Sequence, residues 1–218
     1  MFEIDLTQSV IDKFTQLSQS GNKNTMKNVS VIEDKEDIKD IISEFIDPST
    51  VVVGSLFNHA NPFAVHSDMK TGKKTILLIP IESHNPDQTF VIFDQRLDSD
   101  VGMSWIHDIF SDKTDEELKD MYYDKSLRCR PCDSPEVKGC TDHPISDELF
   151  KYLPYSKDLY HGLTGYAWKY TVGKGLLFDA DMLHATGRMN GPKIGCTIHF
   201  TESIENIEIN IQKHKISY

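Results

Sequence analysis

The sequence has no long apolar run, and no stretch approaches the length a helix needs to span a bilayer. Its amino-terminal MFEIDLTQSV lacks the apolar core of a secretory signal, so an intracellular, cytoplasmic protein is expected. Positive charge is in short supply. There are 23 Lys and Arg against 34 Asp and Glu, a formal net charge of −11. So acidic a chain gains no general attraction to phosphate backbones, which removes nucleic acid as a default partner. The cluster Lys70, Lys73 and Lys74 is a local exception, read as a solvated hairpin tip or a patch that steers an anion. Cysteine is scarce as well, four in 218 residues, and inside a cell all four are expected as thiols. No internal repeat and no low-complexity tract is present.

What is there reads as a β-rich chain with helices at its start. Val10, Ile11, Phe14 and Leu17 recur at helical spacing and predict a helix over residues 7–18. Ile38, Ile41, Ile42 and Phe45 predict a second over 35–46, stopped by Pro48. From residue 50 the runs STVVVGSLF, PFAVHSDM, KTILLIPIE and TFVIFDQR are short and β-branched, with turn residues between them. Residues 98–160 break the pattern, with a capping box at Thr114 and Glu117 and a small helix near SDELFKYL. Strands resume with LTGYAWKYT, KGLLFDADMLHAT, KIGCTIHFT and IEINIQ, the last alternating at Ile207, Ile209 and Ile211. The pattern predicts one domain over 1–218, mainly β with flanking helices, folded as a jelly-roll or cupin-like barrel. The insertion at about 98–160 is expected over the barrel mouth, where specificity resides.

One strand carries His66 and Asp68 at i and i+2. Successive strand residues point to opposite faces, so these two share one face and can reach a single ion. His184, which ends the apolar run GLLFDADML, is the best candidate for a third ligand. Two imidazoles and a carboxylate make a facial triad with open positions, the signature of non-haem Fe(II) oxygenases. Nine residues further on, Lys193, Gly195, Thr197 and His199 share a strand face. A buried lysine needs an anion, and a dicarboxylate cosubstrate would supply one. Thr197 would add a hydroxyl contact and Gly195 would leave room for the ligand. Arg188 in GRMNG is the rival to Lys193, and strand parity favours Lys193. The remaining histidines, His199 among them, are read as ordinary.

HSD at 66–68, His184 and Lys193 together resemble the HxD…H…K/R pattern of the Fe(II)- and 2-oxoglutarate-dependent oxygenases. LLIPIE, VIFDQR, LTG, GKGLLFD, LHA and KIGCTIHFT are similar to the short members found in bacteriophage and marine bacteria, over roughly residues 50–202. The resemblance implies a double-stranded β-helix fold, Fe(II) on His66, Asp68 and His184, and 2-oxoglutarate with its 5-carboxylate on Lys193. It implies reaction with dioxygen, release of succinate and carbon dioxide, and hydroxylation of a second substrate. Related halogenases lack the carboxylate at the Asp68 position, so halogenation is disfavoured. The substrate class stays open among a small metabolite, a protein side chain and a sugar. Trp105, Tyr122, Tyr123, Trp168, Arg96 and Arg128 are candidates to line its path.

A second constellation is Cys129-x2-Cys132-x7-Cys140-x2-His143. Two short chelating pairs suit a closed tetrahedral zinc site that would staple the insertion. Two other functions therefore stand beside the oxygenase. One is a zinc-stabilised interaction module, and the other a non-oxygenase cupin that uses a divalent metal.

Overall fold

In this computed structural model the chain is described except for residues 21–23, 27–28, 33–34, 60–61, 70–71, 101, 106–124, 128–129 and 217–218. The chain opens with β1 (Phe2–Asp5), α1 (Gln8–Ser20), β2 (Asn24–Met26), β3 (Val29–Ile32) and α2 (Lys35–Ile42). The barrel strands β4 (Val51–His59), β5 (Thr75–Ser83) and β6 (Thr89–Leu97) follow. Short pieces β7 (Met103–Trp105), β8 (Lys125–Leu127) and β9 (Val137–Lys138) belong to the insertion. The barrel resumes with β10 (Gly165–Lys169), β11 (Lys174–Asp179), β12 (Met182–Thr186) and β13 (Lys193–Phe200), and β14 (Lys213–Lys215) ends the order.

One sheet runs β14-β1-β11-β5-β13-β4-β3-β2 and a second runs β10-β6-β12, with β9 on β6. His66 bridges antiparallel to His184, so the segment around it extends the second sheet past β12. The chain thus passes from sheet to sheet: β4 in the first, His66 in the second, β5 back in the first, β6 in the second. From β10 to β13 the same alternation repeats. This is a double-stranded β-helix, a jelly-roll of the cupin kind, mainly β with flanking helices.

Burial explains why the barrel strands read as near-continuous apolar runs. In β5, Ile76 and Leu78 face the barrel interior with Phe90, Ile92, Leu176 and Phe178. Leu77, Ile79 and Ile81 face outward against Phe14, Ile38 and Phe45 of the amino-terminal helical layer. In β6, Val91 and Phe93 face outward too, onto Ile145, Leu149, Leu153 and Tyr160 of the insertion. The described part of that insertion therefore covers the outer face of the second sheet, and residues 106–124, with the Thr114–Glu117 capping box, lie outside the described residues. A one-turn helix at Asp147–Phe150 is capped by Ser146. Pro80 sits opposite Gly195 where the β13 register shifts, a bulge that accommodates a residue with no N–H to give.

Two expectations change, and one strand is present that the sequence pattern did not place. Residues 207–212 form no strand, since Ile207, Ile209 and Ile211 alternate because they pack beneath the helical layer. Phe2–Asp5 is a strand that pairs with β11. The run GLLFDADMLHAT is two strands, split by a turn at residues 180–181 that carries the chain from one sheet to the other.

Candidate metal centre

Backbone pairing builds the centre. His66 N–H donates to His184 O at 2.9 Å and His184 N–H to His66 O at 2.8 Å. On the other edge, Ser67 N–H donates to Met103 O and Trp105 N–H to Val65 O, each at 2.9 Å. The strand bearing His66 and Asp68 is therefore gripped on both edges, and the Ser67 hydroxyl ties its reverse face to Ala180 O at 2.9 Å. That β7 clamps the metal strand was not legible in the sequence.

His66, Asp68 and His184 converge, their ligand atoms all within 4.8 Å of one another. His184 Nε2 lies 3.6 Å from Asp68 Oδ2, and the two imidazole centroids are 4.1 Å apart. Each imidazole is oriented by a carbonyl two residues back: His66 Nδ1 is 2.7 Å from Ala64 O and His184 Nδ1 is 3.0 Å from Met182 O. A carbonyl only accepts, so Nδ1 carries the proton and Nε2 presents its lone pair to the centre. Burial, and then the neighbouring His184, push the His66 pKa down to about 4, so the ring is neutral as a metal ligand must be. For Asp68, burial pushes the carboxyl up. The neighbouring His184 imidazole, and then His66 and His199, outweigh it and hold the group well below the usual carboxylate range. Two imidazoles and an ionised carboxylate form a mixed nitrogen and oxygen donor set that suits a first-row divalent cation such as Fe(II).

Lys193 faces the same interior. It is 2% exposed, and its Nζ lies 4.6 Å from the ring centroid of Tyr170, 5.8 Å from Phe90 and 6.0 Å from Phe57. Phe90 also lies 5.4 Å from the His184 ring, so lysine and triad border one space. No carboxylate pairs with Lys193 among the described residues, and burial alone pushes its pKa down to about 7. Arg188, by contrast, is exposed, with its guanidinium 5.9 Å from the Phe150 ring. Thr197 is half-buried on the Lys193 face. Gly195 does not leave room for a ligand: a Cβ there would meet Tyr170 Oη at 2.2 Å and Phe57 at 2.5 Å, so protein fills that space.

Two expectations are corrected. The zinc set does not form, because Cys132 and Cys140 are joined in a disulfide with Cα atoms 5.8 Å apart, and sulfurs bonded to each other offer no thiolate. His143 is exposed, and Cys129 lies outside the described residues. The cysteines are consequently not all thiols, although Cys196 is free and buried. Among the substrate-path candidates, Trp105 and Trp168 are core side chains, the latter donating to Glu3 Oε2 at 2.8 Å. Arg96 joins Asp179 and Asp181, at 2.7 Å each. Tyr122, Tyr123 and Arg128 lie outside the described residues. Missed in the sequence were His199, Ser55, Phe57, Phe90 and Tyr170, which all face the barrel interior. Strand parity with Lys193 was the available signal for His199. Among the described residues no helix is long and apolar enough to cross a membrane.

No protein-family model and no curated protein sequence matches the chain. Solved structures match in outline. One is the non-haem α-ketoglutarate-dependent epimerase SnoN of nogalamycin biosynthesis, at TM-score 0.46 and 8% identity over 91% of this chain and 76% of that one. The carbocyclase SnoK of the same pathway gives TM-score 0.46 and 10% identity over 91% and 79%. A 2OG-Fe(II) oxygenase-family oxidoreductase from Burkholderia pseudomallei gives 0.43 and 6% over 88% and 78%.

Proposed function

We propose that this chain is an Fe(II)- and 2-oxoglutarate-dependent oxygenase that hydroxylates an organic substrate. The observation that carries the reading is a His-Asp-His triad in the same barrel interior as a buried lysine that no carboxylate pairs with among the described residues. A cupin that needs only a divalent cation has no use for such a lysine, which is costly to bury unpaired. Held by His66, Asp68 and His184, the metal would supply activation of dioxygen coupled to conversion of 2-oxoglutarate to succinate and carbon dioxide.

The remaining tasks fall to the chain. Ala64 O and Met182 O hold the two imidazoles by Nδ1, so both Nε2 atoms point at one centre without side-chain rearrangement. Lys193 receives the 5-carboxylate of the cosubstrate, and the hydroxyl of Thr197, four residues along the same strand face, contacts the cosubstrate nearer its other end. Phe57, Phe90 and Tyr170 exclude water around the lysine and strengthen that ion pair. The primary substrate enters beside Asp68, whose side chain is 12% exposed against 2% for His184.

The test is turnover of 2-oxoglutarate by the whole protein with Fe(II) and oxygen, read as succinate formed. His66→Ala is expected to end succinate formation and to leave the far-ultraviolet circular dichroism unchanged. Undiminished succinate from the His66→Ala protein would mean that iron binds elsewhere.

A further inference from the structure

Two buried polar atoms on the inner face of the first sheet have no hydrogen-bond partner among the described residues: Ser55 Oγ and His199 Nδ1. Their directions follow from parity. Phe57, two residues from Ser55, lies in the interior cluster, while Leu56 packs outward. His199 alternates with Ile198 and Phe200, both packed outward, and shares its face with Lys193 and Thr197. Ser55 stands directly opposite Thr197 in the β4–β13 ladder, where cross-strand side chains are about 5 Å apart. His199 pairs with Val53, one step further along the same face. On its other side His199 pairs with Ile76, which packs in the interior cluster with Phe90 and Phe178, and these two rings lie 5.4 and 5.1 Å from the His184 ring, so this polar strip borders the triad.

Buried hydroxyls and imidazoles in folded proteins nearly always have partners, and two orphans beside a metal centre point to a ligand that completes them. Position selects that ligand. Lys193 and Thr197 are four strand residues apart, about 13 Å, which a lysine side chain and a five-carbon dicarboxylate would span end to end. A carboxylate accepts only, and Ser55, Thr197 and His199 can each donate. We propose that Ser55 and His199, with Thr197 between them, hold the 1-carboxylate end of a 2-oxo acid whose far carboxylate lies on Lys193. This rests on the reading of His66, Asp68 and His184 as the iron site. The strip then sets the specificity for a 2-oxo acid, and Lys193 the preference for a dicarboxylic one.

The experiment is anaerobic titration of the Fe(II)-loaded whole protein with 2-oxoglutarate and, separately, with pyruvate, which has the same 2-oxo acid end and no far carboxylate. Affinity is read calorimetrically and from the visible absorbance. Ser55→Ala and His199→Phe are expected to weaken both acids by a common factor of about tenfold or more, the loss of a hydrogen bond to a charged group. Lys193→Met is expected to weaken 2-oxoglutarate alone. His199→Gln, which keeps an N–H donor, is expected to recover most of the affinity, which a merely space-filling role would not require. If both acids bind Ser55→Ala and His199→Phe within twofold of the wild type, the proposal is overturned. Should His199→Phe fail to fold, Ser55→Ala, which deletes one oxygen, decides alone. Wild-type protein that takes up Fe(II) and binds neither acid would instead overturn the oxygenase reading.

Discussion

Replacing Lys193 with Met is expected to make the ligand-free protein more stable while greatly weakening its affinity for 2-oxoglutarate. Methionine fills the space of the lysine stem among Phe57, Phe90 and Tyr170 and brings no charge. The magnitude follows from linkage. Burial takes the Lys193 pKa from its ordinary 10.5 to about 7. Above pH 10.5 the amine is neutral in both states and costs nothing. Below about pH 7 it is charged in both, and the folded state bears the whole penalty, on the order of 5 kcal/mol. Between the two, the unfolded chain binds a proton that the folded chain has released, so wild-type stability rises with pH. The methionine variant lacks this dependence, and every other titrating group is shared. The stability gap should thus be largest at and below pH 7 and shrink by about 1.4 kcal/mol per pH unit toward pH 10. Urea unfolding of both metal-free proteins between pH 6.5 and 9.5 measures it. A gap that stays flat across that range would refute the reasoning, because it would mean that Lys193 is solvated or paired in the folded chain. With Fe(II) and 2-oxoglutarate at 100 times its dissociation constant, the wild type should recover about 2.7 kcal/mol and the variant far less.

Two further expectations concern the frame around the site. The Cys132–Cys140 bridge joins residues eight apart, so Cys132→Ser or reduction should cost about 2.5 kcal/mol of stability by loss of loop constraint. Metal analysis of the purified protein should find no zinc that this change releases. Gly165→Ala would set a Cβ 2.2 Å from Ile92 O, a backbone atom that cannot swing aside. Chemical denaturation should show a loss of about 2–3 kcal/mol or more, with β10 prised from β6; an unchanged midpoint would contradict that strand pairing.

Much of the barrel was legible because its strands carry their burial in their residues. TILLIPI is apolar on both faces because one looks inward and the other meets α1 and α2, and HSD, His184 and Lys193 keep a parity that survives folding. What failed was whatever depends on pairing between distant segments. Ile207, Ile209 and Ile211 alternate like a strand, yet their neighbours are helices. The cysteine spacing fits zinc equally well on paper, and only the turn over Pro131–Asp133 and the strand pairing of Val137 and Lys138 bring Cys132 and Cys140 together. His199 was passed over because a lone strand histidine carries no sign of what stands across the barrel from it. Gly195 looked like space for a ligand because nothing in the sequence says that Tyr170 and Phe57 fill it.

The most direct measurement begins with metal-free protein under strict exclusion of oxygen. Fe(II) is added, then 2-oxoglutarate, and the visible spectrum is followed for the weak charge-transfer band of an iron-chelated keto acid. That band is expected to form in the wild type and in Arg188→Ala, and to demand far more 2-oxoglutarate in Lys193→Met. Iron bound at His66, Asp68 and His184 with no band at any concentration of 2-oxoglutarate would contradict it and leave a metal-binding cupin in its place.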